Sequence, residues 1–217
     1  MNRTYILLFA FLFGGHAWGQ WVPLTAKVRE RTTIVEAGKA VPFVQKEGSF
    51  YRRSDGSTLI EWTYVDGDER KAVGHLSMGN SSLGYQLHLG NRTAIEQHRA
   101  PSRAVSGLGD SSRLHRDPKA ALRQDFIGAV ACAVYPLFFQ GGKGQPLVRT
   151  GEACWSHELG LMLKQDKTYV GSEDGRTYHT VYETFDIQPN TEPDPKLFDL
   201  QARGFTIYKS GSAPDRP

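Results

Sequence analysis

From Thr25 onward, apolar and polar residues alternate with a period of two, and turn-forming residues interrupt the pattern at short intervals. This is how strands read when one face is buried and the other is wet. Thr25–Val35 and Val41–Ser54 make the first predicted strand pair, divided by Ala37-Gly38-Lys39. The second run ends in "SDGS", where Asp55-Gly56 predicts a hairpin with a two-residue loop. Such a loop sets Tyr51 opposite Ile60 and Ser49 opposite Trp62, leaving Phe50, Arg52, Leu59 and Glu61 on the other face.

A second hairpin is predicted around "MGNSSLG", with an even loop centred on Ser81-Ser82. Leu76 then faces Leu87 and Met78 faces Tyr85, while His75 meets His88 and Ser77 meets Gln86. One face is apolar and the other polar, as a half-buried pair requires. Gly90-Asn91 turns the chain into a strand over Thr93–His98. From Arg99 to Arg116 the period is lost, which reads as a long surface loop inside one domain. Asp117-Pro118 supplies an N-cap and a first helical position, predicting a short helix over Asp117–Gln124. Extended runs follow over Phe126–Phe139, Leu147–Gln165 and Arg176–Ile187, the second bending near Gly160. "QPNTEPDPKLF" then crosses irregularly and delivers Leu197 and Phe198 to the core, before a last strand at Phe205–Tyr208. The expected fold is mainly β, of α+β type: a curved antiparallel sheet or open half-barrel with one short helix and one long loop.

Ahead of this region lies a three-part targeting pattern. Asn2-Arg3-Thr4 opens the chain, "YILLFAFLF" supplies a short apolar run, and Ala17 and Gly19 are the small residues before a cut. The run is too short to span a bilayer comfortably. The expectation is a signal peptide over residues 1–19, a single β-rich domain over 20–209, a disordered tail over 210–217, and export to the periplasm or beyond. Removing a leader with one Arg and no acid lowers the formal charge of +3 by one. So small a surplus predicts neither nucleic acid nor anionic lipid as a partner. No other apolar stretch approaches membrane-spanning length.

The two cysteines, Cys132 and Cys154, both follow the leader. A hairpin centred on Lys143 in "GGKGQ" places them directly opposite each other on antiparallel strands, close enough for a disulfide. Export makes that bond the natural outcome. Cys154 opens "CWSHELG", a run that gathers a thiol, a hydroxyl, an imidazole and a carboxylate. On a strand, Cys154, Ser156 and Glu158 point one way and Trp155, His157 and Leu159 the other. His157 then cannot activate Ser156, and position 161 is Leu where a zincin helix needs a second His. No catalytic residue is assigned, and no cofactor is implied. His75 and His88 are the one candidate metal pair, if His98 or Glu96 supplied a third ligand.

The phrases "GEACWSHELGLMLKQDK", "TVYETFDIQPNTEPDPKLFDL", "GFTIYK" and "SFYRRSDGSTLIEW" resemble a group of uncharacterised secreted proteins common in acidobacterial genomes. More distantly, the strand order with "PDPKLF" near the end is similar to lipoprotein-carrier and sigma-regulator periplasmic domains. That second likeness implies an open half-barrel whose concave face holds acyl chains or a peptide. The expected function is therefore a non-catalytic envelope protein that binds a lipid-like apolar ligand or a protein partner. Tyr51, Ile60, Trp62, Tyr85, Leu87, Trp155 and Leu159 are the candidate ligand-facing residues, with Leu76 and Leu161 beside them. The alternative is a metal-dependent or hydrolytic secreted enzyme built on His75 and His88.

Overall fold

The computed structural model describes residues 21–36, 38–79, 81–98, 120–139, 148–171 and 174–209. The expected leader, the long loop and the tail lie outside these residues. Twelve strands form one open, curved sheet in the order β12-β6-β5-β4-β3-β2-β1-β11-β10-β9-β8-β7. Two meanders compose it. The first runs through β1 (Leu24–Glu36), β2 (Lys39–Arg52), β3 (Thr58–Asp66), β4 (Glu69–Ser77), β5 (Leu83–His88) and β6 (Thr93–His98). The second runs through β7 (Arg123–Ile127), β8 (Val130–Phe139), β9 (Val148–Ser156), β10 (Leu161–Val170) and β11 (Thr177–Pro189). An antiparallel seam between β1 and β11 joins them, and β12 (Thr206–Tyr208) adds to β6 in parallel.

The mainly β, antiparallel expectation holds, but the short helix does not. Arg123 and Gln124 open β7, and no α-helix occurs among the described residues; Asp117–Lys119 fall outside them. A 3-10 segment spans Pro195–Phe198, capped by the Asp194 carboxylate, which accepts from the Lys196 amide at 2.9 Å.

Three registers differ from expectation, each for a local reason. At the first hairpin, Phe50 pairs with Ile60, Tyr51 with Leu59 and Gly48 with Trp62. Gly56 is not the second residue of a two-residue turn but the left-handed end (φ 83) of a three-residue loop. Its amide donates to the Arg53 carbonyl at 3.0 Å, and the Arg53 amide donates to Ser57 at 2.9 Å. One extra loop residue moves the pairing by one, which sends Tyr51 and Ile60 to opposite faces.

At the second hairpin the slip is two residues, so the faces survive while the partners change. Leu76 pairs with Tyr85, His75 with Gln86 and Val73 with His88. The turn tightens because it docks on the first loop, where the Gly79 amide donates to Ser57 Oγ at 3.0 Å. At the third, Cys154 pairs with Val134 rather than with Cys132. The disulfide forms all the same, between diagonal neighbours whose Cα atoms are 5.5 Å apart.

The run Leu147–Gln165 is two strands rather than one bent strand. β9 ends at Ser156, residues 157–160 turn, and Gly160 takes a left-handed φ of 56° before β10 begins. Ser156 is fully buried, and its Oγ accepts the Leu159 amide at 3.3 Å. The turn is thus secured by the hydroxyl that had looked nucleophilic.

Sheet curvature is written into strand-interior glycines. A Cβ on Gly48 would lie 1.9 Å from the Glu61 carbonyl oxygen, and one on Gly151 equally close to that of Asp166. Neighbouring backbones approach so closely there that only glycine fits. Gly48→Ala is expected to lower stability by about 1–3 kcal/mol through overpacking. A urea melt should show this as a shifted midpoint with an unchanged slope.

Candidate ligand-binding site

Alternation assigns every strand of the first meander an inner and an outer face. On β1, Leu24, Ala26, Val28, Thr32 and Ile34 are buried while Lys27 is exposed. Leu24, Ala26 and Val28 face inward with Phe50, Ile60, Trp62, Leu163 and Tyr182, forming one hydrophobic core that also takes in Cys132, Cys154, Leu159 and Leu161. The outer face of β3–β6 carries a second core of Leu59, Leu76, Leu87 and Ala94, covered by Phe198, Leu200 and Phe205. Arg203 ties that cover down through an ion pair to Glu61.

The expected ligand-facing set is therefore divided. Ile60, Trp62 and Leu159 belong to the inner core, with Trp155 packed against it. Leu87 is buried in the outer core, with Tyr51 and Tyr85 against it. Tyr85 lines a shallow outer cleft of about 390 Å³ beside the C-terminal segment, and Tyr51 lines another of about 470 Å³. The one-residue shift at Gly56 is what separates them. His75 and His88 share the polar inner face but stand diagonally, opposite Gln86 and Val73. Among the described residues, no three His, Cys, Asp or Glu side chains gather at metal-binding distance.

Along the strands the inner face changes character. Its lower end is closed by Arg52, which has no solvent exposure. The Arg52 guanidinium donates to the carbonyls of Val22 (2.9 Å), Gly160 (3.2 Å) and Leu159, and lies 5.4 Å from the Trp21 ring centre. It thereby ties the end of β2 to the β9–β10 turn and to the segment entering β1. Desolvation pulls its pKa down to about 10, so it stays charged at neutral pH.

Above this plug lies the apolar middle, where Trp62 meets Tyr182 edge-on at 6.2 Å between ring centres. Burial pushes the Tyr182 phenol far above its ordinary range. A polar belt follows. Lys46 and Glu30 pair at 2.9 Å, and Thr32 and Thr180 share a hydroxyl hydrogen bond at 3.0 Å. Lys167, one strand further on, aligns with Thr180. The top of the face is aromatic: Phe43 lies 5.6 Å from Tyr178, which stacks on Tyr169 at 5.5 Å.

Exposed apolar side chains collect at this upper end. Val35, Val41, Phe43, Val65, Phe138, Val148 and Val170 all lie near the tips of hairpins β1–β2, β3–β4, β8–β9 and β10–β11. They make up most of the large hydrophobics exposed among the described residues. In contrast, "CWSHELG" holds no reactive unit. His157 sits in the turn, hydrogen-bonded to the Tyr135 hydroxyl at 2.6 Å, apart from the buried Ser156.

Sequence reasoning passed over Arg52, Lys167 and the Phe43–Tyr178–Tyr169 group. A signal for Lys167 was present, since it continues the alternation Leu161, Leu163, Gln165 onto the same face. Phe43 had none: it occupies a bulge between the pairs Thr32–Val44 and Thr33–Pro42, which alternation does not anticipate.

The class of protein so defined is an open, curved single-sheet protein with a plugged lower end and an apolar upper collar. No family model matches the chain, and no curated protein sequence matches it. Solved structures to which it is similar include a LolA superfamily protein of Nitrosomonas europaea, at 13% identity and a TM-score of 0.35, covering 80% of this chain and 89% of that one. Another is MucB, solved in complex with MucA(peri), at 12% identity and a TM-score of 0.38; 82% of this chain matches 53% of that one. The chain thus spans about half the length of that MucB. A third is a lipoprotein-sorting protein domain of Vibrio parahaemolyticus, at 9% identity and a TM-score of 0.32, covering 86% and 92%. Nothing in these comparisons bears on the acidobacterial group.

Proposed function

We propose that this is an exported, non-catalytic binding protein that holds a lipid-like ligand on the upper inner face of its sheet. The apolar collar carries this reading. Phe43 is 53% exposed although it belongs to an inward-facing aromatic group, and Val41, aligned with the inward Ile34, is 44% exposed. Exposed patches of this kind on polar-rimmed proteins mark binding surfaces. No helix among the described residues is long and apolar enough to cross a membrane. Cleavage after Gly19 would deliver the chain to the envelope.

The test is uptake of sodium laurate, followed by calorimetry and by native mass spectrometry after gentle purification. Wild type is expected to bind it, and Phe43→Asp to bind at least fivefold more weakly with an unchanged melting temperature. A wild type that emerges ligand-free and takes up no laurate would sink the reading.

A second reading, a protein partner, is favoured by one observation. β7 ends the sheet, its side chains are exposed apart from Ile127, and Phe126 is 66% exposed. An edge that pairs with no further strand among the described residues can accept one from another chain. Cross-linking at Phe126 with a photoreactive residue should then capture a second polypeptide, while the same label at Thr168 should not.

A further inference from the structure

Lys167 holds an unusual place on the inner face. It aligns with Thr180 on one side and with Gly151 on the other, so the β9 position facing it brings no side chain. It is half-buried, and its ammonium lies 5.4 Å from the Tyr169 ring centre. Glu30, the acid whose charge acts on it, is paired with Lys46 at 2.9 Å. Beside it, Thr32 and Thr180 hydrogen-bond to each other, so whichever hydroxyl accepts keeps a hydrogen of its own to donate. A cation with no ion pair among the described residues and one hydroxyl hydrogen therefore stand beside the Phe43–Tyr178–Tyr169 wall.

Resting on the reading given above, we infer that Lys167, with the Thr32–Thr180 pair, is the head-group site for a single-chain amphiphile bearing one carboxylate, whose tail lies along Phe43, Tyr178 and Tyr169 toward the collar. The electrostatics agree. Desolvation pulls the Lys167 pKa below its ordinary value, with Glu30 acting in the opposite sense, and an incoming carboxylate would offset that burial. A single ammonium suits one compact negative charge better than a doubly charged head.

The experiment compares sodium laurate with 1-lauroylglycerol, each below its micellar concentration, on wild type, Lys167→Met and the outer-face control Lys164→Met. Wild type and Lys164→Met are expected to prefer laurate by at least tenfold, and Lys167→Met to lose that preference while keeping its affinity for the glyceride. Acetate and inorganic phosphate, which have no tail, should not displace laurate at millimolar concentration. Equal affinity of wild type for both lipids, or a preference that survives in Lys167→Met, overturns the head-group site and leaves lipid binding standing. Displacement by phosphate alone also overturns it. Binding of neither lipid removes the ligand reading itself, and this site with it. Should Lys167→Met fold poorly, Lys167→Gln takes its place: it is expected to lose the laurate preference, and a preference that survives in it overturns the head-group site.

Discussion

Arg52→Met is expected to lower stability by about 4 kcal/mol, the largest effect of any single substitution considered for this protein. The methylene stem is replaced almost in kind, but the carbonyls of Val22, Leu159 and Gly160 lose their donors in a site that water does not reach. Hydrogen bonds from a charged donor contribute roughly 1.5–3 kcal/mol each, and the relief of desolving a cation offsets only part of their loss. In a domain of this size the melting temperature should fall by about 10 °C. Arg52→Lys should recover part of it, because one ammonium cannot reach three carbonyls spread over two segments. A melting temperature within 2–3 °C of wild type, roughly what 1 kcal/mol produces, would show that the clamp is not what closes the lower end.

Removing the disulfide with Cys132→Ala and Cys154→Ala together is expected to cost about 3 kcal/mol, given the sequence separation of 22 between the two cysteines. Both sulfurs lie in the inner core, so the loss combines a relaxed denatured chain with a small packing defect. Urea denaturation with and without reductant measures it. The double variant should be insensitive to reductant, and the unreduced wild type, once denatured, should show no free thiol. Stability equal to wild type in the double variant would contradict this account.

The long strands were legible because alternation is a property of the chain itself. Thr25–Val35, Thr93–His98 and the C-terminal delivery of Phe198 to a core all appear as expected. Registers were less legible, because they are set by loop geometry that side-chain period does not encode. Whether Gly56 is the second or the third loop residue decides the face on which Tyr51 lies, and both options satisfy the same alternation. The disulfide survived a two-residue slip because shifts by an even number keep the same face. Arg52 was unreadable for a different reason. Its partners are backbone carbonyls from residues 22, 159 and 160, and carbonyls leave no trace in composition or spacing. The upper site needed a bulge to bring Phe43 inward, and bulges are equally silent in sequence.

The seam between β1 and β11 governs the order in which the molecule can assemble. Thr32 and Thr180, which touch across it, are separated by 148 positions along the chain. Each meander can zip up from neighbouring hairpins, but the first strand synthesised must wait with one edge bare until almost the last has emerged. Closing so distant a contact is slow compared with hairpin formation. Refolding should therefore pass through a species with both halves built and the seam open, during which β1 and β11 are the segments most in need of shelter from other chains.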